Sequence, residues 1–157
     1  MSKQTKHRQI KKKQGTRKMK KRGGGGKMPS SKTKSSIVQK FMELLVMIKL
    51  YHWKTHTYSQ HEATDKLYSD LNEQIDLFVE ILLGKTKDRV QMVEKNMQMY
   101  DLDTKTELRE KIFEYRDFLI DMNSVFDAKR DTDLLNTRDE MLGLLNKFLY
   151  LLSFDKA

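Results

Sequence analysis

Residues 61–83 read HEATDKLYSDLNEQIDLFVEILL, and this stretch decides the fold. Its apolar side chains recur every three or four residues, which is the period of one buried face of an α-helix. They are Leu67, Leu71, Ile75, Phe78 and Leu82. Gly84 follows directly, and glycine commonly ends a helix. The spacing therefore predicts an amphipathic helix from about His61 to Leu83.

Three further helical patterns flank this stretch, at residues 36–52, 106–128 and 132–152. Ser35 or Ser36 can cap the first of them, and Thr132 or Asp133 can open the last. The single proline, Pro29, precedes all four patterns and leaves them uninterrupted. Four helices of about 20 residues with short joins predict an all-α four-helix bundle.

One connection is longer than a turn. Residues 84–105 separate the second helix from the third. The apolar side chains of this segment include Met92, Val93, Met97 and Met99. We expect a short extra helix here that packs on the bundle.

The charge of the chain is divided between two regions. The net charge is +9, but residues 1–34 contain 14 Lys and Arg and no Asp or Glu, so the remainder carries −5. The basic region has almost no apolar side chains, and the glycines at 23–26 add flexibility, so it cannot bury enough surface to fold alone. We expect a disordered tail at residues 1–35 and a folded domain at residues 36–157. The cations are Lys3, Lys6, Arg8, Lys11, Lys12, Lys13, Arg17, Lys18, Lys20, Lys21, Arg22, Lys27, Lys32 and Lys34.

A tail of this kind is expected to bind phosphate backbones, DNA above all, without regard to sequence and with a strong dependence on salt. Aromatic residues are nearly absent from it, which argues against base stacking on single strands. Three other interpretations are a solubilising arm, a nuclear-localisation-type address, and a segment that folds back on the acidic body.

Composition excludes several classes of protein. The chain has no cysteine, so disulfides, thiolate zinc sites and cysteine nucleophiles are absent. No apolar run approaches the roughly 18–20 residues of a membrane span, and no apolar stretch follows the basic N-terminus as in a secretory signal. The expectation is an intracellular, DNA-associated protein that is not secreted and has no membrane partner.

Two pairs of metal-binding side chains lie on the second helix at a spacing of i, i+4. They are His61 with Asp65, and Asp76 with Glu80. Members of each pair share one helical face. Imidazole with carboxylate is a ligand set that suits iron, zinc or manganese. The pattern predicts a metal site.

The distance between the pairs predicts a dimer. Asp65 and Asp76 are eleven residues apart, which is roughly 16 Å along a helix axis, so one site cannot contain both from the same chain. Two antiparallel copies of the helix, crossing near Asp70 and Leu71, would set the first pair of one copy against the second pair of the other. His52, at the end of the first helix, can complete each site. The alternative interpretation has no metal site: the acidic pair lies on a solvated helix face, and the histidine lies at the boundary of the core.

Three segments in this region resemble the Dps family, also called mini-ferritins or DNA-binding proteins from starved cells. They are LYHW at 50–53, SQHEATDKLY at 59–68 and IDLFVE at 75–80. A weaker similarity extends to LNKFLYLLSF at 145–154, so the resemblance covers about residues 36–154. It implies a ferritin-like four-helix bundle with a short helix in the long connection. It also implies assembly from two-fold dimers into a hollow homo-dodecamer.

The resemblance implies a ferroxidase that oxidises Fe(II) with peroxide and stores Fe(III), with DNA as a sequence-independent partner of the tail. Its ligands would be His52, His61 and Asp65 of one subunit with Asp76 and Glu80 of its partner. Glu62 would be an acid that nucleates mineral. Trp53 and Tyr51, which adjoin His52, could intercept stray oxidising equivalents.

The chain departs from the family pattern in three places. His52 and His61 are nine residues apart, a shorter gap than is usual in the family, so the turn between the first two helices is tighter. Lys66 stands where the family often has a second nucleating acid. The tail is unusually long and basic, as in Dps-like proteins of large DNA viruses, and gives DNA binding more weight.

Three functions are therefore compared. The first is a Dps-like ferroxidase that also protects and compacts DNA. The second is a DNA-packaging protein on a Dps-type cage with an inactive or structural metal site. The third is a basic-tailed helical bundle that binds protein or RNA and forms no cage. Intact ligands at all five positions favour the first, whereas Lys66 and the size of the tail favour the second.

Overall fold

All four predicted helices are present in the computed structural model, which describes residues 28–154. They are α1 (Ser31–Lys54), α2 (Tyr58–Thr86), α3 (Lys105–Asp121) and α4 (Thr132–Leu152), with a short 3₁₀ turn, Met122–Ser124, after α3. Residues 28–154 contain no strand. None of the helices in this range combines the length and the apolar content needed to cross a membrane. The described chain is thus all-α.

The core lies between the inner faces of the helices. α2 packs against both α1 and α4, and α4 packs against α3. All five apolar side chains of the predicted α2 stripe are buried. Edge-to-face aromatic contacts join the elements: Phe41–Phe78 at 5.4 Å, Phe41–Phe118 at 5.9 Å and Phe78–Phe126 at 5.8 Å between ring centroids. Each such buried side chain stabilises the fold by about 1.5–3 kcal/mol relative to its exposed state.

The first helix starts earlier than predicted. α1 begins at Ser31, and the Ser30 hydroxyl caps it by accepting the amide of Thr33 at 3.2 Å. Neither Ser35 nor Ser36 is the cap, and Ser35 is buried inside the helix. The folded region therefore includes residues that were expected in the tail.

Gly84 lies inside α2 rather than at its end. The helix continues past it and stops where Lys87 adopts a left-handed φ of 51°. The ammonium group of Lys85 explains the extension, because it lies 3.1 Å from Asp131 and 2.8 Å from Asp133 at the start of α4. Ion pairs between distant parts of the chain thus fix the last turn of α2.

The third helix is shorter than predicted, since it ends at Asp121 rather than near Ala128. The buried guanidinium group of Arg138 lies at this end. It donates to the Leu119 carbonyl at 2.8 Å and to the Asn123 side chain at 3.0 Å. A cation that binds the last helical carbonyls stabilises a helix end at that position.

The predicted short helix between α2 and α3 is wrong. Residues 88–104, which we call the strap, contain no helix. Side chains of α1 bind the strap backbone instead: Ser35 Oγ accepts the Val93 amide at 2.9 Å, and Glu43 Oε1 accepts the Gln98 amide at 3.0 Å. A helix would need these N–H groups for its own carbonyls, so the contacts favour an extended chain.

The strap runs parallel to α1. Successive contacts pair Lys34 with Asp88, Gln39 with the Asn96 carbonyl, and Lys54 with Asp103, at 2.7, 3.0 and 2.8 Å. Three apolar side chains of the strap face outward, with Val93, Met97 and Met99 exposed by 52, 48 and 65%, whereas Leu102 near its end is buried in the core. The segment is therefore held by polar contacts with α1 more than by burial of its own side chains.

Candidate metal centre

The turn between α1 and α2 brings three predicted ligands together. Thr57 caps α2 by accepting the Gln60 amide at 3.4 Å, and the helix then returns alongside the end of α1. The imidazole rings of His52 and His61 stack, with centroids 3.9 Å apart and an interplanar angle of 26°. His52 Nε2 lies 3.8 Å from Asp65 Oδ1. The structure thus brings three of the five predicted ligands near one another within one chain.

The two histidines differ in exposure. His52 is buried, with 6% of its surface exposed. Its Nδ1 atom lies 3.1 Å from both the His61 carbonyl oxygen and the Thr64 hydroxyl oxygen. His61 is exposed, and its Nδ1 lies 3.4 Å from the hydroxyl of Thr55. The Asp65 side chain is 60% exposed. The cluster therefore has an inner histidine and an outer side that a second molecule can reach.

Lys49 also belongs to this cluster. Its ammonium group lies 3.4 Å from Asp65 Oδ1. It is 4.9 Å from the ring centroid of Tyr68 and 5.9 Å from that of Trp53, within range of cation–π attraction. A positive charge beside Asp65 competes with a metal ion for the same carboxylate.

The other two predicted ligands do not join the cluster in the same chain. Asp76 and Glu80 are exposed, about three and four turns beyond Asp65 along α2. Within residues 28–154 of one chain, no group of three or more His, Asp or Glu side chains is arranged to hold a metal ion. The intersubunit site predicted from the spacing remains a prediction.

An apolar groove between α1 and α2 connects these two places. One part, of about 260 Å³, is lined by Lys49, Trp53 and Tyr68. The other part, of about 220 Å³, is lined by Val38, Asp76 and Val79. Both parts share Met42, Leu45 and Asn72. The groove therefore spans the surface from the histidine cluster to Asp76.

The exposure of residues near the groove bears on where two antiparallel copies of α2 would cross. Leu71 has no exposed surface and belongs to the core of its own chain. Asp70 is bound by Lys66 at 3.0 Å, and both line a small cavity against α4. Asn72 is the exposed residue near the middle of the groove. If two copies of α2 pair through this face, the crossing is expected near Asn72.

The remaining predicted site residues take different positions. Tyr51 is buried and its hydroxyl donates to Gln60 at 3.4 Å, whereas Trp53 is 68% exposed. Glu62 is exposed on the first turns of α2. Both aromatic residues adjoin His52 in sequence. Of the two, only Trp53 lines the groove.

The predicted nucleic-acid residues fall mostly outside the described part of the chain. Twelve of the fourteen cations lie in residues 1–27, which the structure does not describe. Lys32 is exposed on the first turn of α1 and is free to contact a phosphate. Lys34 is buried and forms a 2.7 Å ion pair with Asp88, which removes it from the predicted DNA contacts.

Three residues of the cluster escaped the sequence analysis: Lys49, Thr55 and Thr64. A local signal was present, because Lys49 precedes His52 by three residues and Thr64 follows His61 by three, which is one helical turn in each case. Such spacing shows that side chains are neighbours, but it does not identify which of them bind each other.

Comparison with known proteins places this region in a family. The model of a group described as "Family of unknown function (DUF5856)" matches residues 52–152, which begin at His52 and include all of α2, α3 and α4. No curated protein and no solved structure matches the chain.

Proposed function

The chain belongs to the DUF5856 family, whose function is unknown, and we propose that it is a Dps-like protein that oxidises Fe(II) at sites shared by two subunits and binds DNA through its basic tail. The assembly of His52, His61 and Asp65 at the α1–α2 turn is the observation that carries the proposal. A ferritin-like arrangement and a homo-dodecameric cage are part of it.

The incomplete cluster supports a site between subunits. Two imidazoles and one carboxylate meet beside an open surface, and two further carboxylates, Asp76 and Glu80, stand exposed on the same helix. An antiparallel partner would bring these acids to the cluster. Its own α1 and α2 would cover the apolar groove, which gives the contact a source of stability.

The donor set suits iron as a substrate. Neutral imidazole nitrogens bind Fe(II), while the carboxylates of Asp65, Asp76 and Glu80 stabilise the higher charge of Fe(III). Two Fe(II) ions each lose one electron. One peroxide molecule takes both electrons and two protons and leaves as two water molecules. The protein supplies the ligands and holds the ions near each other, and zinc or manganese would fit the same donors without this redox step.

The basic tail supports DNA binding. Residues 1–34 carry 14 cations and no acid. Each phosphate contact contributes about −0.9 to the slope of log affinity against log salt, so even a part of these cations gives a steep dependence. The body carries −5 and contributes little attraction of its own.

Complementation between two inactive variants tests the shared site. His61→Ala/Asp65→Ala removes the cluster from its own subunit, and Asp76→Ala/Glu80→Ala removes the acids that its partner needs. We expect each variant alone to lose fast oxidation of anaerobically added Fe(II) by peroxide, followed as near-ultraviolet absorbance of Fe(III). Co-assembly of equal amounts restores one intact site in each mixed dimer, which is about a quarter of wild-type activity if subunits pair at random.

Glu110→Ala/Glu140→Ala is the matched control, because it removes two exposed carboxylates on α3 and α4, away from the groove between α1 and α2. It should oxidise iron like the wild type. Co-assembled variants that stay inactive, although each binds wild-type partners normally, would contradict a shared site. Activity retained by Asp76→Ala/Glu80→Ala alone would contradict it as well.

A DNA-packaging protein with an inactive site is the second candidate. The Lys49 ammonium group beside Asp65 favours it, since an internal cation occupies the carboxylate that iron needs. Oxidation by the wild type at the buffer rate, together with salt-dependent DNA retention that is lost on deletion of residues 1–27, would establish this function. A solution mass of one 18.7 kDa chain would instead exclude both cage proteins.

A further inference from the structure

We propose that Thr64 is a positioning residue that fixes the His52 ring with the proton on Nδ1, so that Nε2 presents its lone pair to the metal. The role at a metal rests on the proposed function, whereas the tautomer is a property of the metal-free protein. Thr55 has the corresponding positioning role for the His61 ring, through a longer hydrogen bond.

The hydrogen-bond inventory around His52 determines which nitrogen carries the proton. A carbonyl oxygen can only accept, so the 3.1 Å contact between His52 Nδ1 and the His61 carbonyl requires a proton on Nδ1. The neutral ring then has a lone pair on Nε2. This atom is the one that lies 3.8 Å from Asp65 Oδ1. The ring therefore turns its metal-binding nitrogen toward the other predicted ligand.

The Thr64 hydroxyl strengthens this choice because its own proton is used elsewhere. Its oxygen lies 2.7 Å from the Gln60 carbonyl and 3.0 Å from the His61 carbonyl, and the hydroxyl donates its proton toward these acceptors. Its lone pairs remain, and one accepts the His52 Nδ1 proton at 3.1 Å. Thr64 has no exposed surface, so bulk water does not compete for this bond.

Thr55 repeats the arrangement on the outer ring. Its hydroxyl donates to the His52 carbonyl at 2.9 Å and so offers a lone pair to His61 Nδ1 at 3.4 Å. The contact is longer and the residue is only partly buried, so its hold on His61 is weaker. Together the two threonines orient a stacked pair of imidazoles.

A bond from a threonine hydroxyl to the carbonyl four residues earlier is common in helices, so packing alone could explain Thr64. Thr86 provides the comparison, because its hydroxyl makes the same bond to the Leu82 carbonyl at 3.0 Å on the same helix with no histidine nearby. The contact with His52 distinguishes the two residues. A purely structural role predicts equal consequences for Thr64→Val and Thr86→Val.

Nitrogen-15 NMR of the histidine side chains in the metal-free full-length protein tests the tautomer directly. We expect wild-type His52 to show a protonated Nδ1 and an unprotonated Nε2. Thr64→Val keeps the shape and removes the acceptor, so the Nε2-protonated form should become detectable. Thr64→Ser, which keeps the hydroxyl, should restore the wild-type spectrum, and Thr86→Val should leave it unchanged.

Binding of Co²⁺ and of anaerobic Fe(II) tests the consequence. Loss of a group that orients a ligating histidine weakens metal binding by 10–100-fold in general, and because the His61 carbonyl remains, we expect about tenfold for Thr64→Val. Thr64→Ser should recover the wild-type affinity. Unchanged His52 nitrogen shifts and unchanged affinity in Thr64→Val would overturn the proposal. If the wild type binds metal and shows the predicted tautomer but oxidises no iron, the positioning role of Thr64 is supported and only the ferroxidase activity is contradicted.

Discussion

The α1–α2 turn and the strap both lie against α1, but they are held there in different ways. The turn spans only residues 55–57 between two helices. The contacts that bring its side chains together join residues 6 to 16 positions apart. The strap spans residues 88–104, and every contact that holds it to α1 joins residues more than forty positions apart. Local spacing therefore determines the first region and tertiary contacts determine the second.

Removal of the Glu43 carboxylate should give the largest loss of stability, and the loss should be confined to the strap. The carboxylate is 2% exposed and accepts from the Gln98 amide, Gln39 and Lys40. Glu43→Ala removes the buried acceptor of three hydrogen bonds, one of them from a charged group, which we expect to cost about 2–3 kcal/mol in the free energy of unfolding. Urea denaturation measures it, and hydrogen exchange should locate the loss in the strap. Glu94→Ala, an exposed acid of the strap itself, is the control and should be neutral. A loss spread evenly over the molecule would argue against a separately held strap.

Acid should loosen the strap before it loosens the turn. Burial by itself would raise the pKa of Glu43, but hydrogen bonds from the Gln98 amide, Lys40 and Gln39 outweigh it and hold the pKa below its ordinary value of 4.5. A depressed pKa means that the ionised carboxylate stabilises the fold above pH 4.5 and that this contribution is lost as the pH falls through the folded-state pKa. Exchange of the Gln98 amide measured below pH 4.5 should therefore accelerate relative to the amides of α2.

Glu43→Gln removes the charge and keeps an acceptor for the Gln98 amide. In this variant the pH dependence at Gln98 should largely disappear. Equal acid sensitivity in the wild type and in Glu43→Gln would assign the effect to other carboxylates.

The smallest expected effect lies in the turn. Thr57 caps α2 through the Gln60 amide, and Thr57→Ala should cost about 1 kcal/mol, the usual value for loss of such a cap. Thermal unfolding measures the loss. Because the cap sets where α2 begins, the same variant should also disturb the His52–His61 stack, visible as altered histidine NMR shifts. Thr104→Ala at the start of α3 provides a control with a similar loss and unchanged shifts. Unchanged histidine shifts in Thr57→Ala would show that the stack does not depend on the cap.

The helical period predicts most of the fold and the proximity of three of the five predicted ligands for the same reason. Periodicity identifies the buried stripe of α2, and it also places His61 and Asp65 on one face. The connection of α1 to α2 is so short that His52 has to lie near both. These features depend on residues that are close in sequence, so they do not require knowledge of contacts with the rest of the chain.

Periodicity fails where a side chain acts across the molecule. It gives no sign that Arg138 of α4 binds the end of α3. Gly84 predicts a helix end, but α2 continues past it because Lys85 forms ion pairs with Asp131 and Asp133. The methionines of the strap suggest a helix because nothing local reveals that Glu43 takes the Gln98 amide. Each error reflects a polar contact between distant residues.

The strap is also a place where the chain can be cut or extended without loss of the helical core. Within the described chain, no backbone group of residues 89–103 bonds to another backbone group, and most of their side chains are exposed. A cut or an inserted reporter near Lys95 would separate an α1–α2 hairpin from an α3–α4 hairpin in sequence, while the shared core would keep them together. The ligand cluster and the apolar groove both lie on the first hairpin, so the chain offers a site for labels that leaves them intact.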